Sequence, residues 1–226
     1  MTTTRAPRYS DRAMRTFELA FGPWRRRRLH TAPLHGLPGT LPIGVPLLLV
    51  ANHSSWWDGF LLRDVHRALR PGAPLHTIMT ARELARLPLF RHIGALPVEP
   101  GSGASTLRLV RTLAQLRARH ADVTVSLFPQ GRIAPAWARP LGFQRGVELI
   151  ARALAPCIVL PVGIHIEPLN RAAPTAIVAA GPLLHVRNGE ASAAALEQLV
   201  ARQLDGIARL LASHGEAAIT QLQELA

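Results

Sequence analysis

Short apolar runs recur along the chain. Val, Ile and Leu concentrate at Pro46–Ala51, Leu75–Thr80, Ala95–Val98, Val123–Phe128, Ile158–Ile164 and Thr175–Gly181, each the length of a buried strand. Between most of them the spacing becomes helical. Leu107, Val110 and Ala114 form one stripe, and Leu109, Leu113 and Leu116 a second. Leu149, Arg152 and Ala153 continue a helix opened near Gln144. Further on, Leu196, Leu199, Val200, Leu204, Ile207 and Leu211 make one apolar face, with Glu197, Arg202 and Arg209 turned away from it. This alternation predicts an α/β domain: a mixed, mostly buried sheet flanked by helices.

The N-terminal stretch has a different character. "YSDRAMRTFELAFGPWRRRRLH" predicts an amphipathic helix from about Ser10, with Met14, Phe17, Leu19 and Phe21 as apolar members, ending at Gly22-Pro23. Trp24, Arg25, Arg26, Arg27 and Arg28 follow. An indole beside four guanidiniums suits a membrane interface, where the ring sits at headgroup level and the cations meet lipid phosphates. A solvated basic turn packed on the domain, or a nucleic-acid patch, would have the same composition. The expected organisation is a membrane-docking segment over residues 1–35 and one catalytic-sized domain over 36–226. A chain of 226 residues with 48% hydrophobic composition suits a single core.

Charge sharpens the choice of partner. There are 26 Lys+Arg against 14 Asp+Glu, a formal charge of +12, and every basic residue is arginine. Such a balance attracts anionic lipid, nucleic acid or an acidic carrier protein, although codon usage in a GC-rich genome gives the same arginine excess. No recognisable reading helix or base-stacking module accompanies it, which argues against nucleic acid. Cys157 stands alone in "APCIVLPVGI", so no disulfide framework or thiol–metal cluster is expected, and the histidines other than His53 lack metal-ligand spacing. The N-terminus does not resemble a secretory signal, and no apolar run approaches the roughly 18 to 20 residues of a spanning helix. The expectation is a cytoplasmic or membrane-peripheral protein.

Two segments carry candidate chemistry. In "PLLLVANHSSWWDGF" a strand ends at Ala51 and delivers Asn52 and His53 to its C-terminal edge, where α/β sheets place their sites. Ser54, Ser55 and Asp58 would start the next helix, with hydroxyls capping its first N–H groups. A carboxylate beside one imidazole nitrogen fixes the tautomer and stabilises the cation formed when the other nitrogen takes a proton. No nucleophilic serine completes a triad, so His53 could deprotonate a substrate hydroxyl directly. An unrelated histidine and helix-start acid would read the same way. In "SLFPQGRIAP", Pro129 stiffens the strand exit, Gly131 lets the backbone approach a ligand, and Arg132 can bind phosphate or carboxylate. Trp56 and Trp57 either pack the helix onto the sheet or line an acyl groove.

Together these blocks, NH-x4-D and then F-P-x-G, resemble the lysophosphatidate acyltransferase family, the PlsC-like 1-acylglycerol-3-phosphate O-acyltransferases. "IGALPVEP", "GFQRGV" (Phe143, Arg145, Gly146) and "IVLPVGI" fall where that family has its other blocks, in the same order. The resemblance implies an α/β fold, His53 as general base and Asp58 as its orienter. It implies attack of an acceptor hydroxyl on the thioester of acyl-CoA or acyl-acyl carrier protein, with no metal and no cofactor. It assigns acceptor and substrate binding to Asn52, Glu99, Phe128, Pro129, Gln130, Gly131, Arg132 and Arg145. The partners implied are the thioester donor, a lysolipid acceptor and an anionic membrane surface, with no nucleic acid. The location implied is the cytoplasmic face of the inner (plasma) membrane, peripherally.

This chain departs from the pattern at the acceptor blocks. Gln130 stands where the family has glutamate, Gly131-Arg132 lacks an intervening small residue, and Pro100 replaces an arginine. Lysophosphatidate is the acceptor the resemblance implies. A lyso-aminolipid, a glycolipid or a glycosylated isoprenoid are alternatives, as is a catalytically silent lipid-binding protein of the same fold.

Overall fold

The computed structural model describes residues 9–188 and 190–224. The elements run α1 (Asp11–Arg28), β1 (His30–Thr31), β2 (Leu47–Ala51), α2 (Asp58–Leu69), β3 (Leu75–Thr80), α3 (Ala81–Arg86), a 3-10 helix (Pro88–Ile93), β4 (Ala95–Val98), α4 (Gly103–Arg119), β5 (Thr124–Leu127), α5 (Gly146–Leu154), β6 (Cys157–Glu167), β7 (Thr175–Ala180), β8 (Leu184–Val186), α6 (Ala193–His214) and α7 (Ala217–Glu224). One mixed sheet has the order β1-β7-β6-β2-β5-β3-β4, with β8 added to β6. β6, β2, β5, β3 and β4 are parallel, while β7 and β8 pair antiparallel with β6. The expected α/β class and flanking helices are therefore present.

The continuous apolar runs arise because both faces of the sheet are covered. Along β2, Leu48 and Val50 join a core cluster with Leu109, Leu113, Val147, Ile150, Leu196 and Val200 from α4, α5 and α6. Leu47, Leu49 and Ala51 point the other way and pack with Leu61, Leu62 and Val65 of α2. Of the two stripes read on α4, Leu109, Leu113 and Leu116 face the core, whereas Leu107 is exposed. α6 lies close on β6 at Gly163, where a Cβ would come within 2.7 Å of the Gln203 side chain.

The N-terminal helix differs from expectation. It continues past Gly22-Pro23 to Arg28, with Pro23 inside it. A proline there loses a backbone hydrogen bond, and contacts on both sides of it outweigh the local stop signal. Before it, Phe17 stacks on Phe60 of α2 at 5.9 Å between ring centroids, and Glu18 pairs with Arg63 and Arg67. After it, Trp24 meets Trp57 at 5.3 Å and Arg25 pairs with Asp64 at 2.5 Å. Met14 and Phe17 are buried by this packing. Among the described residues no helix is long and apolar enough to cross a membrane.

Candidate active site

Strand register assembles the site. β2 and β5 pair with Val50 opposite Leu127, so their chains leave the sheet side by side at the same edge. β2 pairs with β6 with Ala51 opposite Val162. Asn52 is the next residue out, and its buried amide both donates to the Ile164 carbonyl and accepts the Ile164 N–H, each at 2.8 Å. Asn52 thus extends the ladder by one side-chain rung and fixes where the chain turns away.

His53 comes next, with Nδ1 2.8 Å from Asp58 Oδ2. Asp58 is the first residue of α2 and is fully buried. Its Oδ2 also accepts the backbone N–H groups of Ser54 at 2.6 Å and Ser55 at 2.8 Å, and its Oδ1 accepts the Ser55 hydroxyl at 2.7 Å. These are the partners that a buried, acceptor-only carboxylate requires. The N-cap position of α2 is Trp57, with no side-chain cap of its own, and the Ser55 hydroxyl accepts the Trp57 N–H at 3.1 Å rather than one of the first helical N–H groups. The Asp58 carboxylate instead folds back over the preceding turn. Since the carboxylate accepts, Nδ1 carries the ring proton and Nε2 presents its lone pair. The ring lies against Phe128, centroids 4.4 Å apart and planes 17° apart.

The β5 exit supports this arrangement from below. Buried Gln130 accepts the His53 backbone N–H at 2.6 Å through Oε1, and the Ala134 N–H donates to the His53 carbonyl at 2.9 Å. Gly131 has φ +66°, and a Cβ there would lie 2.6 Å from Gln144 Nε2. That amide is itself used, donating to the Gln130 carbonyl at 3.3 Å, while the Gln144 N–H donates to the Pro129 carbonyl at 3.0 Å. A left-handed, side-chain-free residue is therefore required at 131.

His53 opens onto a cavity of about 230 Å³. It is lined along β3 from Leu75 to Thr80, a run that spans about 16 Å at the usual strand rise. Its roof is Met14 and Phe17 of α1, with Phe60 of α2 and Phe90 of the 3-10 helix. Trp56, Phe128, Gly131, Arg132 and Ile133 line it as well, together with Gly59, Arg63 and Glu83. Mostly apolar and elongated, with a few polar groups at the sheet edge, it has the make-up of a site for a ligand with an apolar tail.

The structure divides the residues singled out from sequence. His53, Phe128, Gly131 and Arg132 line the cavity. Asn52, Pro129 and Gln130 are buried behind it, and Gln130 turns its side-chain oxygen toward the His53 backbone. Glu99 is exposed at the end of β4, and the Arg145 side chain is 90% exposed, beside Glu148 at 3.4 Å. Neither lines the cavity. Of the paired tryptophans, Trp56 lines it and Trp57 packs against the α2 core. Met14, Phe17, Phe60 and Phe90 were not recognisable as site residues from sequence. The spacing of Met14 and Phe17 revealed an apolar helix face but not what covers it.

Comparison with curated proteins gives no match. A family model described as Acyltransferase matches residues 35–165, which is more than half of the chain and contains the His53/Asp58 turn and the Phe128–Arg132 exit; the chain belongs to the acyltransferase family.

Proposed function

We propose that the protein is an O-acyltransferase of the PlsC-like type, moving an acyl group from acyl-CoA or acyl-acyl carrier protein to a hydroxyl of a membrane lysolipid. The observation that carries the reading is the His53–Asp58 pair standing at the polar end of an apolar cavity. In the proposed step, His53 Nε2 takes the acceptor hydroxyl proton as the oxygen attacks the thioester carbonyl. The C–O bond forms and the C–S bond breaks. The sulfur leaves as a thiolate that takes a proton, so that an ester and a free thiol result. Asp58 keeps the tautomer and stabilises the imidazolium between these transfers. The acyl chain occupies the β3 cavity, and no metal or cofactor takes part. Lysophosphatidate is the proposed acceptor, with Arg132 at the mouth facing its phosphate.

Pro100 replaces the family arginine and Gln130 faces His53 rather than the cavity, which favours a second reading in which the same chemistry acts on a lyso-aminolipid, a glycolipid or a glycosylated isoprenoid. The proposed location is the cytoplasmic face of the inner membrane, held peripherally by Trp24 and Arg25–Arg28. The test is release of free thiol from a labelled acyl thioester, with lysophosphatidate or a host lipid extract as acceptor. Label should enter a lipid only with active protein, and His53→Ala should slow transfer by roughly 10²- to 10⁴-fold. Transfer by His53→Ala at the unsubstituted rate would eliminate the mechanism. A thioester left intact with every lipid would favour a silent lipid-binding protein.

A further inference from the structure

The loop that follows Arg132 is fixed at both ends and exposes its tip. At its start the Ala134 N–H donates to the His53 carbonyl at 2.9 Å. At its end Arg139 pairs with Asp205 of α6 at 2.6 Å and donates to the carbonyls of Ala136 and Ala138 at 2.8 and 2.9 Å. Between these anchors the Ala138 N–H donates to the Pro135 carbonyl at 3.0 Å, closing a turn that carries Trp137 outward, 79% exposed. An indole held this far into solvent on a tethered turn has no packing role within the described chain.

The cavity mouth, which the loop joins through Ile133, says what faces it. Ile133, on the same loop, is 55% exposed and lines the cavity; Trp56, 47% exposed, and Leu87, 38% exposed, also line it. Trp24 of α1 meets Trp56 edge-on at 6.1 Å. Exposed apolar side chains therefore form the cavity's open side, where a pocket for a water-soluble ligand would carry a polar rim. The charges around the mouth are mostly cationic, while the far end of the loop carries the Arg139–Asp205 pair. Arg132 is exposed at the mouth, and Arg26, Arg27 and Arg28 are exposed behind Trp24. Glu83 is the one carboxylate among the described lining residues. Aromatic rings at headgroup depth beside guanidiniums are the composition that anionic bilayers select.

We propose that the Ile133–Trp137 loop is a bilayer anchor in addition to the one proposed for α1, seating Trp137 in the headgroup layer of an anionic membrane so that the cavity opens directly into lipid. The inference rests on the lipid-acceptor reading, but membrane binding without substrate tests it separately. An acyl chain would then pass between bilayer and cavity without crossing water. Because the loop is hydrogen-bonded to the His53 carbonyl, the anchor also sets the height of the base above the membrane.

The test uses the full chain and vesicles of phosphatidylcholine with phosphatidylglycerol, with no substrate present. Trp137→Ala should lower partitioning about tenfold, as expected for removing one buried indole, whereas Trp137→Tyr should retain most of it. Leu149→Ala, which removes an exposed apolar group on α5, should change nothing. Brominated acyl chains should quench fluorescence that is missing from Trp137→Ala. Equal partitioning of Trp137→Ala and the unsubstituted protein, or quenching identical in the two, would overturn the proposal. So would loss of self-association or of acyl carrier protein binding in Trp137→Ala with vesicle binding intact.

Discussion

The side-chain oxygen of Gln130 lies 2.6 Å from the backbone nitrogen of His53, joining the exit of β5 to the exit of β2. Gln130, to which the family resemblance assigned acceptor binding, holds the His53 backbone instead, and under the proposed mechanism it acts as a positioning residue for the base. Gln130→Ala leaves the His53 N–H without its partner, and should lower kcat by about tenfold or more with a smaller change in KM, since misplacement of a base by a fraction of an ångström is felt in turnover. Gln130→Glu keeps an acceptor oxygen and should restore most of the rate. Steady-state kinetics on the two variants decide it; a Gln130→Ala effect confined to the KM of the acceptor would instead mark a binding residue.

His53 and Asp58 should separate cleanly in stability measurements. The His53 side chain is about one-fifth exposed, so His53→Ala should change folding stability by about 1 kcal/mol or less while slowing transfer by roughly 10²- to 10⁴-fold. Asp58 is fully buried and gathers four donors from three residues. Asp58→Asn turns an amide NH₂ toward some of them and should cost about 2 to 4 kcal/mol. Urea titration of the two variants, beside their activities, tests the division of roles; equal stability would mean that the turn tolerates loss of the carboxylate.

Gly59 lines the cavity one residue after Asp58, and a Cβ built there meets nothing within 4 Å. Gly59→Ala should raise stability by roughly 0.5 to 1 kcal/mol through helix propensity. Gly59→Leu would put a branched side chain into the cavity near its mouth, and should lower kcat/KM for long-chain thioesters by about tenfold more than for short ones. A chain-length profile that does not move with Gly59→Leu would place the acyl chain elsewhere.

Two buried histidines make the fold acid-sensitive. Burial pushes the imidazoles of His66 and His76 down to about 4, with Arg63 adding to the effect at His66. His66 Nε2–H donates to the Ala73 carbonyl and His76 Nδ1–H to the Gly94 carbonyl, each at 3.1 Å. In the unfolded chain both rings titrate near 6.5, so the unfolded state binds more protons between the two values. Stability is therefore full above about pH 6.5 and falls as pH drops toward 4. Each tenfold loss of proton affinity on folding corresponds to about 1.4 kcal/mol, so the two rings together contribute several kcal/mol. His76→Asn should flatten the decline in urea midpoint by roughly half; an unchanged slope would assign the acid sensitivity to other groups.

Much of this was legible in the chain because it is local. Six apolar runs marked six strands, since a strand covered on both faces needs an apolar side chain at nearly every position. β1 and β8, of two and three residues, were missed because they are too short to carry a pattern and exist only through pairing with β7 and β6. The end of α1 was misplaced for a related reason: Gly22-Pro23 is a local stop signal, and the contacts that carry the helix through it come from α2.

The same distinction holds at the site. The sequence by itself determined that an imidazole and a carboxylate share one short turn five residues apart, and only the order of the downstream blocks singled them out as a pair; the structure joins them at 2.8 Å. Only the tertiary structure decided that Gln130 supports His53, that Glu99 and Arg145 lie away from the cavity, and that Met14 and Phe17 roof it. Those relationships depend on strand register and on which helix face meets which neighbour. They are set by burial and by the pairing of backbone polar groups across the whole sheet, and no stretch of sequence contains that information.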